Sequence, residues 1–286
     1  MRTEITASLA ALALAGFASA HDPHDPHDGD DHGHVHPSAS LVAPALLAWP
    51  APALPEPAAA PAPGTWQAEA FAKFAPDVRT RVDAQWLYVE SDGLPHAMKD
   101  QVMMVGITAW QQQVPLPQPY TGTNAWQVPL KPELSDQPVD GRKYLRRGAV
   151  AIAVDGIPIF NALNNRGVDS FSIGELDQFG GHCGRADDYH YHAAPLALQQ
   201  LVGMDKPIAF GLDGFPVYGL FDPKAKAGSP QACPLGGTAP LDEWNGHFCD
   251  TPAANALVPG TRGYHYHSSK TFPYINGGMR GKVKVE

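Results

Sequence analysis

Two copies of the tetrapeptide Tyr-His-Tyr-His, at residues 189–192 and 264–267, combine residue types and a spacing that suit metal chemistry. Side chains alternate along a β-strand, so the two histidines of each copy would share one face and the tyrosines the other. Same-face positions lie about 6 to 7 Å apart along a strand, which lets two imidazoles reach one ion. We therefore predict one metal centre with the four histidines of both copies as its central ligands: His190, His192, His265 and His267.

A third histidine in each half comes from a duplication that extends beyond the tetrapeptide. Residues 176–182 and 241–247 share the pattern Leu-Asp-[Gln/Glu]-[Phe/Trp]-[Gly/Asn]-Gly-His, which ends at His182 and at His247. The offset between the copies grows from 65 residues at this motif to 75 at the tetrapeptide, so insertions fall between the shared elements, where loops tolerate them. Both histidines are predicted to lie at or beside the metal centre.

An Asp-Gly pair between two apolar runs also occurs in each half, at Asp155 and at Asp213. This arrangement is a strong β-hairpin signal. A proline follows each pair, at Pro158 and at Pro216. Because proline cannot donate a ladder hydrogen bond, we expect both prolines at sheet edges or at bulges.

The rest of the folded part is rich in glycine and proline and is predicted to form mostly strands and turns. Strands are predicted at three further places: 85–90, 102–108 and 125–130. Short helices are predicted at 67–81 and at 196–201. The predicted fold class is mainly β, a sandwich or barrel, with two duplicated halves, about 149–192 and 207–267, related by an approximate twofold axis.

The N-terminal segments have no pattern that could form a core. Residues 1–20 have one arginine, an apolar run and a final Ala-Ser-Ala, which predicts a signal peptide and a secreted or periplasmic protein. Residues 21–64 are predicted to be disordered. Six of the chain's thirteen histidines lie among aspartates in the first part, 21–36, which could buffer Cu²⁺, Zn²⁺ or Ni²⁺ weakly, and an Ala/Pro-rich linker follows. The folded domain is therefore expected at 65–286.

Charge and motifs exclude several function classes. The formal net charge is −9, and about −3 remains once the tail and linker are set aside, without a basic stripe that would indicate nucleic-acid binding. After the signal peptide, no apolar stretch is long enough to span a membrane. The sequence contains no P-loop, Gly-x-Gly-x-x-Gly, Gly-x-Ser-x-Gly or His-Glu-x-x-His motif, so nucleotide-binding, hydrolase and zincin interpretations have no support.

The three cysteines, Cys183, Cys233 and Cys249, are an odd number for an exported protein. One disulfide pairing joins Cys233 to Cys249 and would close a short loop in the inserted region of the second half. The other joins Cys183 to Cys249, each of which follows a Gly-His, and would tie the two halves together. Both pairings stay open at this point.

The order of these motifs resembles the YHYH-domain family of secreted bacterial and algal proteins, which is named after the tetrapeptide. The resemblance runs from about Trp86 to Gly281 and includes Asp-Gly-Leu-Pro-His at 92–96 and a closing Pro-Tyr-Ile-Asn-Gly-Gly-Met-Arg-Gly segment. It implies metal binding by the histidines and no defined reaction. Many family members carry a cysteine where this chain has Trp244 and a paired one where it has Gly278. Both are missing together, as expected if a disulfide was lost as a unit.

The main functional hypothesis is an exported protein with a transition-metal centre, copper or zinc, between the two halves. Imidazole-rich sites favour such metals over Mg²⁺ or Ca²⁺, which prefer oxygen ligands. Asp188 would share the histidine face and could ligate the metal or orient a ring. The second copy has Gly263 there, so the two half-sites differ, as a catalytic site would require. Metal-assisted hydrolysis or copper-type redox chemistry would be the expected reaction classes.

Two alternatives need no metal. In the first, the chain is a non-catalytic structural or binding module whose histidines form a buried hydrogen-bond network. In the second, His182 and His247 face each other across a cleft as general base and general acid. No substrate is indicated by the sequence, and an enzymatic role is left open.

Overall fold

The computed structural model describes residues 65–98, 115–184, 188–203, 206–220, 240–249 and 256–283. All of them belong to one compact unit, Pro52–Glu286. Several sequence-based predictions fall outside the described residues: the signal peptide, the tail and linker at 21–64, the strand at 102–108 and the disulfide partner Cys233. Within the described ranges, no helix is long and apolar enough to cross a membrane.

Strands dominate the described part, which confirms the predicted mainly β fold. The strands are β1 (Arg79–Val82), β2 (Trp86–Glu90), β3 (Trp126–Pro129), β4 (Leu134–Asp140), β5 (Ala149–Ala153), β6 (Pro158–Phe160), β7 (Gly181–Cys183), β8 (Tyr189–Tyr191), β9 (Ala209–Gly211), β10 (Pro216–Tyr218), β11 (Gly246–His247), β12 (His265–His267) and β13 (Gly278–Gly281). The α-helices are α1 (Trp66–Phe71), α2 (Gly141–Tyr144) and α3 (Leu196–Val202). Short 3₁₀ helices occur at Ala72–Phe74, His96–Met98 and Gly122–Asn124.

The largest sheet has eight strands in the order β11-β12-β10-β9-β5-β6-β8-β7. A three-stranded sheet, β1-β2-β3, and the pair β13-β4 complete a sandwich-like arrangement. In each half, the tetrapeptide strand runs parallel to the second strand of the hairpin, β8 beside β6 and β12 beside β10. The Gly-His strand then pairs antiparallel on the outside, as β7 or β11.

The twofold axis between the halves runs through the antiparallel pair β5 and β9. Ile152 faces Phe210 in the register, and these two residues are equivalent under the 58-residue offset between the halves. The flanking register pairs are Ala151 with Gly211 and Ala153 with Ala209. The 58-residue offset makes Ala151 equivalent to Ala209 and Ala153 equivalent to Gly211, so a twofold rotation exchanges these two pairs. This register is the one that a local twofold requires, and it confirms the predicted duplication.

The two predicted hairpins form as β5-β6 and β9-β10. Gly156 and Gly214 adopt φ angles of 81° and 92° in their turns, a left-handed conformation that favours glycine. The prediction for the prolines is wrong, because β6 and β10 are interior strands rather than edges. Pro158 and Pro216 are instead the first residues of these strands, a position where the missing donor is tolerated.

The helix predicted at 67–81 is shorter than expected, whereas α3 confirms the helix predicted at 196–201 and β2 and β3 confirm the strands at 85–90 and 125–130. α1 stops at Phe71, and the following 3₁₀ turn ends with Ala75 in an extended conformation. Pro76 explains this end, because a proline disfavours the helical conformation of the residue before it.

Cysteine and tryptophan positions bear on the disulfide predictions. Cys183 is a buried thiol, so the pairing of Cys183 with Cys249 is not formed. The pairing with Cys233 stays a prediction.

A Cβ atom built on Gly278 would lie 2.9 Å from Cε3 of Trp244. The two positions at which the resemblance implies a lost disulfide therefore adjoin, and the indole fills the space beside Gly278.

Candidate metal centres

The strand geometry separates histidines from tyrosines as predicted. The ring centroids of His190 and His192 on β8 are 4.9 Å apart, and those of Tyr189 and Tyr191 on the other face are 5.6 Å apart. β12 repeats the arrangement, with 5.0 Å between the histidine rings and 5.4 Å between the tyrosine rings. The four tyrosines are among the largest fully buried side chains of the core.

The Gly-His strands bring the third histidine of each half to its tetrapeptide. Antiparallel pairing places His182 on β7 opposite His190, and His247 on β11 opposite His265. Two triads result, in each of which one ligand atom per histidine lies within 4.8 Å of the others. The first triad is His182, His190 and His192, and the second triad is His247, His265 and His267.

The prediction that the four tetrapeptide histidines converge on one centre is wrong. Strands β10, β9, β5 and β6 separate β12 from β8, which amounts to roughly 24 Å at the usual spacing between strands. The cause is the parallel pairing of each tetrapeptide strand on the outer side of its hairpin, away from the twofold axis. The acid and base pair proposed for His182 and His247 is not formed either, since these residues lie on the two outermost strands.

Backbone carbonyl groups fix the orientation of five of the six imidazoles through their Nδ1 atoms. The contacts are His182 to Glu175 O (3.0 Å), His190 to Asp188 O (3.0 Å), His192 to Asn161 O, His265 to Gly263 O (2.8 Å) and His267 to Gly219 O (2.9 Å). A carbonyl oxygen can only accept a hydrogen bond, so Nδ1 carries the proton in each of these rings. The Nε2 atoms of the neutral rings are therefore lone-pair donors.

One pair of Nε2 atoms is in contact inside each triad. In the first triad, Nε2 of His190 lies 3.1 Å from Nε2 of His192, and both are unprotonated in the neutral rings. In the second triad, Nε2 of His265 lies 3.0 Å from Nε2 of His247, and Nε2 of His267 is buried without a hydrogen-bond partner among the described residues. Facing lone pairs and an unsatisfied buried nitrogen cost free energy unless a cation lies between them.

Four of the six rings resist protonation near neutral pH. Burial, with a contribution from neighbouring imidazoles, lowers the pKa of His192 to about 3 and that of His182 to about 4. In the second triad, burial lowers the pKa of His267 to about 4 and holds that of His265 well below its usual range. These four rings are therefore neutral, which is the form that binds metal ions.

Acidification is expected to destabilise the metal-free chain between pH 6.5 and about 4. The unfolded chain takes up protons near the ordinary histidine pKa of 6.5, whereas His192 and His182 take them up only near 3 and 4 when folded. The folded state binds fewer protons in this window, so its stability falls as the pH falls. Three aspartates oppose the trend, because burial raises the pKa of Asp155 to about 6 and also raises those of Asp177 and Asp213, but the four histidines with lowered pKa values are more numerous. A urea midpoint that is equal or higher at pH 5 than at pH 7 would contradict this.

Four aspartates of the repeated motifs hold the tyrosines, a role that the sequence interpretation missed. The tyrosine hydroxyls donate to Asp177 (from Tyr189, 2.6 Å), Asp155 (from Tyr191, 2.9 Å), Asp242 (from Tyr264, 2.9 Å) and Asp213 (from Tyr266, 2.6 Å). The signal was present, because each aspartate recurs at the same place in both halves. The Asp-Gly and Leu-Asp motifs thus fix the strands that carry the histidines.

Replacing Tyr266 with phenylalanine is expected to lower the free energy of unfolding by about 1 to 3 kcal/mol. Its hydroxyl donates to the buried Asp213 and accepts from the backbone N–H of Arg280 at 2.7 Å, and both partners would lose this contact. Urea unfolding measures the change. The matched control is Tyr144→Phe, an exposed tyrosine at 65% accessibility, which should change stability by less than about 0.5 kcal/mol. Equal effects in the two variants would contradict the role given to the hydroxyl.

Asp188 lies beside its histidine but not among the converging nitrogens. Its carboxylate oxygen is 3.5 Å from Nδ1 of His190, and the same Nδ1 contacts the backbone oxygen of Asp188. This atom is on the opposite side of the ring from Nε2. The position suits the predicted role of orienting the ring, and a direct contact with an ion held by the Nε2 atoms would need a different rotamer.

Comparison with known protein families gives one match. Residues 125–233 match the family model described as YHYH protein. This match supports the predicted assignment to the YHYH family. The matched residues contain the first triad and the β9-β10 hairpin, and they end before the second triad. No curated protein and no solved structure matches the chain.

The two triads differ in access to solvent. The first triad lines a cavity of about 460 Å³, and His182 is only partly buried. The ring of Phe160 stacks on His190 at a centroid distance of 4.2 Å and forms part of the cavity wall. All three histidines of the second triad are at most 3% exposed. One triad can therefore be reached by a small molecule, and the other is enclosed.

Proposed function

We propose that this chain is an exported metal-binding protein that holds two transition-metal ions, copper or zinc, one in each triad. The observation that carries the proposal is the grouping of three imidazoles in each triad, with one Nε2–Nε2 contact per triad and Nδ1 of five of the six rings held by backbone carbonyls. Backbone contacts of this kind to the second ring nitrogen are typical of metal-ligating histidines. The predicted signal peptide supports export.

The dimensions and the chemistry of the triads fit such an ion. Two imidazole nitrogens at about 2.0 to 2.1 Å from a tetrahedral zinc ion lie about 3.3 Å from each other. The paired Nε2 atoms are 3.1 Å apart in the first triad and 3.0 Å apart in the second. Imidazole ligands without carboxylates favour zinc, copper, iron or nickel over magnesium and calcium.

The difference in access favours different roles for the two ions. The enclosed second triad suits a structural ion that holds β11 against β12. The first triad offers three protein ligands and an opening toward a cavity, the arrangement of catalytic zinc sites. A divalent ion bound there would supply Lewis-acid chemistry or an activated water. The backbone oxygens of Glu175, Asp188 and Asn161 would hold the three imidazoles in place.

The competing proposal is a structural or binding module in which the histidines form a hydrogen-bond network without metal. Measuring how much metal the protein retains distinguishes this proposal from metal binding. The protein for this test is the full chain with the six tail histidines replaced by asparagine, so that tail binding does not contribute. After loading with Zn²⁺ or Cu²⁺ and dialysis, we expect close to two bound ions per chain and an increase in the thermal midpoint. A chain that retains no ion and shows no change in midpoint would support the network instead.

A further inference from the structure

The cavity beside the first triad has an excess of positive charge. Three arginines line it, Arg146, Arg147 and Arg166, together with two acidic residues, Glu175 and Asp188. Glu175 forms an ion pair with Arg166, so these two charges offset each other. Among the described residues, neither Arg146 nor Arg147 takes part in an ion pair.

Arg146 packs against the loop that follows β6, and Arg147 lies next to it in the sequence. A Cβ atom built on Gly167 would lie 3.3 Å from Nη1 of Arg146, so this guanidinium packs closely against the turn at Gly167. Buried Glu175 also accepts a hydrogen bond from the amide of Asn164 at 3.0 Å, which fixes the same loop. The backbone oxygen of Glu175 in turn contacts His182. One loop therefore connects the basic side of the cavity to the triad.

The second half does not repeat the basic pair. Under the 58-residue offset that relates the hairpins, Arg146 and Arg147 correspond to Met204 and Asp205 in the sequence. The position of Asp188 corresponds to Gly263. The arginines are therefore not required by the shared fold, since the second half forms its triad without them. Their presence in the first half coincides with the triad that opens onto a cavity.

We infer that the cavity of the first triad binds a small oxyanion, a molecule that carries a phosphate or carboxylate group, with Arg146 and Arg147 as its anion-recognition residues. Guanidinium groups bind both anions through charge-assisted and often bidentate hydrogen bonds. A volume of about 460 Å³ is suited to a small molecule. The inference rests on the proposed function, because the rest of the ligand would lie toward the open side of the metal centre.

The test measures anion binding and metal content on the same samples. The full chain with the tail histidines replaced by asparagine is titrated with inorganic phosphate and with oxalate by calorimetry, both metal-loaded and metal-free. The variant is Arg146→Gln with Arg147→Gln. The charge-matched control is Lys131→Gln with Lys206→Gln, two exposed lysines outside the cavity.

We expect the arginine variant to bind at least one of the two anions about tenfold or more weakly than the parent, and the lysine variant to stay within about twofold. Metal content should be the same in all three proteins. Absence of binding of both anions to the metal-loaded parent, or equal affinities in both double variants, would overturn the inference while leaving metal binding intact. A chain that retains no metal but still loses anion affinity in the arginine variant would refute the proposed function and support the anion site.

Discussion

Replacing His265 with alanine is expected to remove one of two bound metal ions and to leave the other in place. His265 belongs to the second triad, where its Nε2 atom lies 3.0 Å from that of His247. Loss of a direct ligand should weaken the binding of that ion by well over tenfold. Mutation of residues that only support metal ligands already lowers metal affinity 10- to 100-fold. Four strands lie between β12 and β8, which carries two histidines of the first triad, so the first triad should keep its affinity.

The matched variant in the first half is His190→Ala, so each variant controls for the other. Metal analysis after dialysis should give about one ion per chain for either single variant and none for the two combined. A single centre shared by all the histidines would instead lose all of its metal in each single variant. Retention of two ions in the His265 variant would show that the second triad is not a metal site.

Replacing Gly246 with alanine is expected to destabilise the folded chain by about 3 kcal/mol or more. A Cβ atom at this position would collide with Oη and Cζ of Tyr264, whose ring is fully buried and whose hydroxyl donates to Asp242. The collision would displace the tyrosine and break that hydrogen bond, and overpacking and a lost buried hydrogen bond each cost about 1 to 3 kcal/mol. Because Tyr264 precedes His265, the second metal ion should also be bound more weakly.

The control for this variant is Gly174→Ala, which adds a methyl group where no other atom lies within 4 Å. Its φ of 72° is left-handed, so we expect a backbone cost of about 1 to 2 kcal/mol. Urea unfolding of both variants, together with metal analysis, separates the collision from backbone strain. An effect of Gly246→Ala no larger than that of the control would contradict the packing argument.

The local part of the structure could be predicted from the sequence because its signals are short range. The alternation of His190 and His192 against the tyrosines follows from strand geometry. The Asp-Gly turns define the hairpins. The repeated motifs alone indicate a twofold relation between the two halves. The partners of the tyrosines could also have been inferred, since the aspartates of both motifs recur with them.

The number of histidine clusters could not be predicted, because it depends on strand order. Duplication requires the two halves to be related, but it does not require that their histidine strands meet at the axis. Parallel pairing of β12 with β10 directs the second tetrapeptide outward, and only a long-range register such as Val217 with Tyr266 determines this. The cavity arginines were missed for the same reason, since Arg146 and Arg166 approach the first triad only through the folded loop after β6.

The most direct measurement is the location of bound metal in crystals of the zinc- or copper-loaded chain by anomalous X-ray scattering. Two separate peaks inside the folded domain are expected, one among His182, His190 and His192 and the other among His247, His265 and His267. A single peak between the two halves, or no peak in either triad when the crystals are metal-loaded, would contradict the existence of two independent three-histidine centres.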